Sequence, residues 1–238
     1  MPRVLYIMPV EAPATRAERV GAFLDSLACP GTAVEVVTLP GGTADLEHYE
    51  QDHLAISLML EAVPTRVRGG AFDAVVVACF YDPGVRELRE VLDVPVVGVG
   101  EASMLLASLL GHRFSVVVGR RKSIPKMSDN ALLYGFDRRI ASWRSIDFTV
   151  QRIHDDPEGA YEAIAREAEA AVRDDRAEAI VLGCAAMENV AQRLTRRIGV
   201  PIVDPVVAGF KVAEMLGSLR ERTGLTISKI YDYEPLRR

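Results

Sequence analysis

Two cysteines occupy corresponding places in a segment that occurs twice. Phe72-Asp73-Ala74-Val75-Val76-Val77-Ala78-Cys79 is answered by Ala177-Glu178-Ala179-Ile180-Val181-Leu182-Gly183-Cys184. Further on, Val94-Pro95-Val96-Val97 is answered by Val200-Pro201-Ile202-Val203. The offset is 105 residues at the cysteines and 106 at the prolines. A thiol ending a buried strand in each of two related halves suits one site with a sulfur on either side. Such a site can move a proton from one face of a carbon to the other, with one thiolate as base and one thiol as acid.

A buried cysteine is often only a small hydrophobe. The repetition favours chemistry, because packing alone gives no reason for both halves to keep a thiol at one position. Cys29, before Pro30-Gly31 in an expected turn, has no counterpart in the second half and is assigned no role. Three cysteines in a chain without a secretory signal argue for reduced thiols rather than a disulfide framework. No CxxC or HxxxH pattern occurs, and the four histidines, at 48, 53, 112 and 154, are scattered, so no metal site is expected.

The elements that must hold the thiols follow from pattern. Short valine- and isoleucine-rich runs read as parallel strands buried on both faces. They are expected at Val4–Met8, Ala33–Thr38, Ala74–Ala78, Val96–Val99, Phe114–Val118, Ile146–Val150, Ala179–Gly183 and Ile202–Val203. Expected helices lie between them: Thr15–Leu27, Glu47–Ala62, Pro83–Val91 capped by Asp82, Ser103–Leu110, Pro157–Arg173 capped by Asp156, Asn189–Arg197 and Pro205–Arg222. The βα rhythm and the repeat imply an α/β fold of two pseudo-symmetric, flavodoxin-like (Rossmann-like) parallel-sheet domains. The first is expected to comprise residues 1–100 plus 205–238 and to carry Cys79. The second comprises 101–204 and carries Cys184. In parallel sheets ligands bind beyond the carboxyl ends of the strands, which is where both cysteines fall, and the active site is expected between the domains. A helix start after each cysteine would lower its thiol pKa. The backbone N–H groups of Phe80–Tyr81 and Ala185–Ala186 are candidates to hold a carboxylate or carbonyl oxygen and to stabilise an enolate.

Composition narrows the partners. Of the 238 residues 49% are hydrophobic and 26% charged, ordinary values for a soluble globular protein. The net charge of −5, with only Arg120-Arg121-Lys122 and Arg237-Arg238 as basic clusters, gives no footprint for nucleic acid. No apolar stretch approaches the roughly 20 residues needed to span a bilayer. The opening Met1-Pro2-Arg3 followed by a short apolar run reads as a first strand, not a signal peptide, and a cytoplasmic location is expected.

The stretch Ala78-Cys79-Phe80-Tyr81-Asp82-Pro83-Gly84, continuing through Val94-Pro95-Val96-Val97-Gly98 to Glu101-Ala102-Ser103-Met104, resembles the hydantoin racemase branch of the aspartate/glutamate racemase superfamily. So do Gly111-His112-Arg113-Phe114-Ser115-Val116-Val117, Val181-Leu182-Gly183-Cys184-Ala185-Ala186-Met187 and the tail Gly224-Leu225-Thr226-Ile227-Ser228-Lys229. The likeness covers nearly the whole chain. It implies a cofactor-independent racemase or epimerase with catalytic Cys79 and Cys184, acting on a small molecule such as a 5-substituted hydantoin or related cyclic amide or amino-acid derivative. It also implies assembly into homo-oligomers. Lys122-Ser123-Ile124-Pro125 matches the family's basic-Ser/Thr-x-Pro loop, which makes Ser123 a candidate pocket residue.

The chain departs from the family at three places. The family's first strand ends in Asn-Pro-Asn, where Met8, Pro9 and Val10 stand here, and the following Glu11 is a candidate replacement ligand as well as an ordinary solvated loop residue. Tyr81 is bulky where the family has a small residue, and Ala186 stands in place of glycine. Other reactions open to the same residues are a cis–trans isomerisation or a decarboxylation using one cysteine, and binding without turnover. Among the remaining polar residues, Glu101 is expected to cap the helix after it and His112 to face a helix C-terminus. Gly98-x-Gly100 lacks the third glycine of a dinucleotide fingerprint.

Overall fold

The structure, a computed structural model, describes residues 1–234; the Arg237-Arg238 pair lies outside the described residues. Two compact units are present, one of residues 1–98 with those from Gly209 onward, the other Val99–Ala208. Each holds a four-stranded sheet in which every neighbouring pair is parallel.

The first sheet has the order β2-β1-β3-β4, formed by β1 (Arg3–Ile7), β2 (Ala33–Val37), β3 (Ala74–Val77) and β4 (Val96–Gly98). The second has the same order in its own strands, β6-β5-β7-β8, formed by β5 (Phe114–Val118), β6 (Ile140–Ser145), β7 (Ala179–Leu182) and β8 (Ile202–Val203). The cysteine-bearing strand is thus an inner strand of each sheet. β3 and β7 are wholly buried, as their unbroken apolar runs require.

Helices cover both faces of the first sheet. Leu5, Ile7, Val75 and Val77 pack with Ala55, Met59 and Val63 of α2 (Tyr49–Val67) and with Val85 and Leu88 of α3 (Val85–Val91). α1 (Ala14–Leu27) buries Val20 and Leu24. α9 (Pro205–Thr223) lies close enough to the sheet that a Cβ at Gly217 would sit 3.0 Å from Cβ of Pro2 and 3.7 Å from that of Ala74. Arg220 of α9 pairs with Asp73 at 3.0 Å. In the second unit α7 (Pro157–Asp175) lays Tyr161, Ile164, Ala165 and Ala168 over Val117, Ile180 and Leu182. Its expected cap holds: Asp156 Oδ1 accepts from Gly159 N at 2.9 Å, with Pro157 in the first turn.

Several elements differ from expectation. The second sheet's edge strand is Ile140–Ser145, not Ile146–Val150. All six of its residues are half-buried, so an edge strand of mixed composition lacks the apolar run that marks an inner one. Ile146 and Phe148 bury themselves from the following loop. The Lys122–Pro125 stretch is no plain loop. A 3₁₀ turn, Arg121–Ser123, leads straight into α5 (Ile124–Leu133), with Pro125 in its first turn. α4 (Val99–Leu110) begins directly after β4, so Glu101 belongs to its first turn rather than preceding it. At the other end of α4 it is Arg139, not His112, that covers the carbonyls, reaching Ser108 O at 2.7 Å and Gly111 O at 2.9 Å.

Candidate active site

The chain treats the two cysteines alike. β3 is followed by Ala78, whose N–H donates to Ile7 O on the neighbouring β1 at 2.8 Å. β7 is followed by Gly183, whose N–H donates to Val117 O on the neighbouring β5, also at 2.8 Å. The next residue in each case is the cysteine, half-buried and packed against the apolar core of its own unit. Each then opens a tight turn. Asp82 N donates to Cys79 O at 2.9 Å, and Met187 N donates to Cys184 O at 3.0 Å. Both turns leave through left-handed backbone, at Asp82 (φ 50°) and Gly84 (φ 69°) in one, and at Asn189 (φ 66°) in the other.

The helices therefore start later than the sequence suggests. α3 begins at Val85 with the left-handed Gly84 as its N-cap, so Asp82 does not cap it. After Cys184 comes a 3₁₀ turn, Ala185–Met187, and the next helix, α8 (Ala191–Ile198), begins only at Ala191. A helix dipole acts within about its first turn. The helix that follows each cysteine therefore starts too late for its dipole to act on that thiol, contrary to expectation. What the turns offer instead is backbone. The N–H groups of Phe80, Ala185 and Ala186 donate to no other described residue. These are three unspent donors on the residues directly after the cysteines, the arrangement that suits an oxygen gaining negative charge.

The remaining candidates lie at the carboxyl edges of the same sheets. Glu11 follows β1 by four residues and is exposed, its N–H donating to Thr43 O at 2.9 Å. Met8 and Val10, at the family's asparagine positions, are buried and half-buried, and Val10 packs on the first core. Phe80 and Tyr81 are both buried in the first unit. In the second, Ser123 follows β5, is buried, and ends the 3₁₀ turn with its N–H on Arg120 O at 3.0 Å. Ala186 packs against the second core. Among the described residues no group of three or more His, Cys, Asp or Glu is arranged to hold a metal ion, and no helix is long and apolar enough to cross a membrane.

Two buried acids have contacts that sequence reading did not foresee: Asp82, expected to cap a helix, and Asp204. Asp82, 7% exposed, sets its carboxyl against Gly98 at the end of β4, so close that a Cβ at 98 would lie 2.4 Å from Asp82 Cγ. Asp204, 6% exposed at the end of β8, accepts from Asn189 N at 3.1 Å and from Val206 N at 2.9 Å. Burial raises its pKa above the ordinary aspartate value, against the opposing pull of these N–H donors. The Asp204-Pro205 pair at a helix start was the available signal for the second of these contacts; the reach to Asn189 had none.

Comparison with known proteins identifies the family. The model of the Asp/Glu/hydantoin racemase family matches residues 8–213. A hydantoin racemase of Pseudomonas sp. (strain NS671) is 38% identical over 209 residues, covering 88% of this chain and 82% of its own. The allantoin racemase of Pseudomonas fluorescens, a solved structure, superposes with a TM-score of 0.90 at 36% identity, over 99% of this chain and 97% of its own. That of Klebsiella pneumoniae superposes with a TM-score of 0.91 at 32% identity, over 100% and 95%. Taken with the repeated strand, cysteine and turn, these matches show that the chain belongs to the Asp/Glu/hydantoin racemase family and is a racemase, an enzyme of the isomerase class.

Proposed function

We propose that the protein racemises a carbon acid by two-base proton transfer, with Cys79 and Cys184 as the two bases. The observation that carries this reading is the matched pair of turns, each placing a thiol and an unspent backbone donor just past an inner strand of a parallel sheet. A thiolate takes the proton from the stereocentre and the electron pair moves onto the adjacent carbonyl oxygen. The N–H groups of Phe80, Ala185 and Ala186 stabilise the resulting enolate. The other thiol then returns a proton to the opposite face and becomes the thiolate. The step moves only protons and needs no cofactor.

The substrate class we assign is a 5-substituted hydantoin or a related cyclic amide. Its acidic C–H lies beside a ring carbonyl, which suits this chemistry, and the relatives named hydantoin and allantoin racemase support it. Buried Ser123 and Tyr81, together with Ala186, are assigned to the wall around the ring, and Glu11 to a polar contact at the edge of the first sheet.

The test follows a single enantiomer of such a hydantoin in D2O by polarimetry and mass spectrometry. Wild type is expected to lose optical rotation while the stereocentre takes up deuterium. Cys79→Ser and Cys184→Ser are each expected to lower the racemisation rate by at least ~10²-fold, the usual contribution of a positioned acid or base. Either variant turning over at the wild-type rate would defeat the two-base reading.

A further inference from the structure

The two buried acids form a pattern that is clearest when the repeat is followed residue by residue. The cysteine offset of 105 residues sets Asp82 against Met187, and the proline offset of 106 sets Gly98 against Asp204. In both units the contact joins the cysteine turn to the end of the neighbouring strand. In the first unit the turn supplies the acid, Asp82, and the strand end supplies a bare backbone, Gly98. In the second the strand end supplies the acid, Asp204, and the turn supplies a backbone N–H, that of Asn189, while Met187 is buried as an apolar residue. The exchange has a steric reason. A β-carbon at 98 and the carboxyl of Asp82 would occupy the same space, so only one partner of the contact can carry the acid. Burying a carboxylate is costly unless it is held by donors.

We propose that Asp82 and Asp204 are positioning residues, Asp82 for Cys79 and Asp204 for Cys184, each fixing one of the two proton-transfer steps independently. This rests on the two-base reading above. Each enantiomer is deprotonated by one cysteine and reprotonated by the other. Loosening one cysteine slows abstraction from one enantiomer and slows delivery in the opposite direction. The primary isotope effect seen with the α-deuterated substrate therefore rises for one enantiomer and falls for the other.

The experiment measures these isotope effects, with kcat and KM, for both α-deuterated enantiomers of a 5-substituted hydantoin. Asp204→Asn and Asp82→Asn are the first variants. Asp204→Ser and Gly98→Ala are the second pair: serine retains an acceptor for the helix start but is too short for Asn189, and the alanine methyl displaces the Asp82 carboxyl while leaving it in the chain. The expected result is a fall in kcat of about 10-fold, in line with the ~10²-fold cost of small misplacements near reacting groups, and a skew of isotope effects that is opposite in sign for the Asp82 and Asp204 variants. Cys79→Ser and Cys184→Ser serve as controls. If they retain full activity, the two-base reading fails. If they lose activity while the aspartate and glycine variants leave the two isotope effects unskewed, the positioning proposal alone is overturned.

Discussion

Gly183 stands between a wholly buried strand and Cys184, and a single methyl there tests how tightly the second turn is held. A Cβ at Gly183 would lie 2.8 Å from Cγ1 of Val118, 3.0 Å from Cγ1 of Val116 and 3.1 Å from the carbonyl oxygen of Val117. Val116, Val117 and Val118 are all fully buried in β5, so the strand has no open side to move toward. Ordinary contacts begin near 3.5 Å, and relief of the closest requires a shift of roughly 0.7 Å in a close-packed interior. Overpacking of this kind costs about 1–3 kcal/mol. For a chain of this length ~2 kcal/mol lowers Tm by roughly 4–8 °C. Gly183→Ala is therefore expected to show that loss in thermal and urea unfolding. Its racemase activity is expected to fall by ~10-fold or more, because any relief moves the backbone that carries Cys184. The repeat supplies the control. Ala78 holds the equivalent place before Cys79 with its methyl already accommodated at 8% exposure, and Ala78→Gly removes a contact instead of creating a clash. A Gly183→Ala protein with unchanged Tm and unchanged kcat would refute the claim that close approach of β5 dictates glycine at this position.

Arg144 on the edge strand β6 reaches Asp175 at 2.6 Å and Glu167 at 3.3 Å on α7, and Asp175 also accepts from Ser142. The hydrogen bond from Arg144 lowers the Asp175 pKa, so this stabilisation is present above the ordinary aspartate value and is lost as pH falls through the folded one. Arg144→Met is expected to lose about 1 kcal/mol in urea unfolding at pH 7, with the difference from wild type closing in acid; a constant difference at every pH would exclude the ion pair as its cause. Asp204 runs the other way. Its folded pKa is raised by burial, so the stability it contributes is greatest below the unfolded value of about 3.9 and declines as pH rises through the folded value. Relative to Asp204→Asn, wild type is expected to lose stability over that rise, and parallel stability curves for the two proteins would contradict the burial argument.

Local pattern carried much of this protein. Short runs rich in valine and isoleucine mark β3, β5 and β7, because an inner parallel strand is buried on both faces. Asp156-Pro157 marks the start of α7, because a cap is a contact within a few residues. The repeated strand-cysteine segment names both thiols from the chain itself. The edge strand β6, half-polar and half-buried, has no such signature, and the expectation slid to the more apolar Ile146–Val150. The turns after the cysteines, read as helix starts, required knowing that Asp82 takes a left-handed conformation with its carboxyl against Gly98, sixteen residues on. Asp204's hold on Asn189 and the clash awaiting a methyl at Gly183 are of the same kind. Sequence determines what a segment buries, since that depends on its own composition. Which backbone its polar groups meet depends on strands brought side by side by the sheet, and only the tertiary structure decides it.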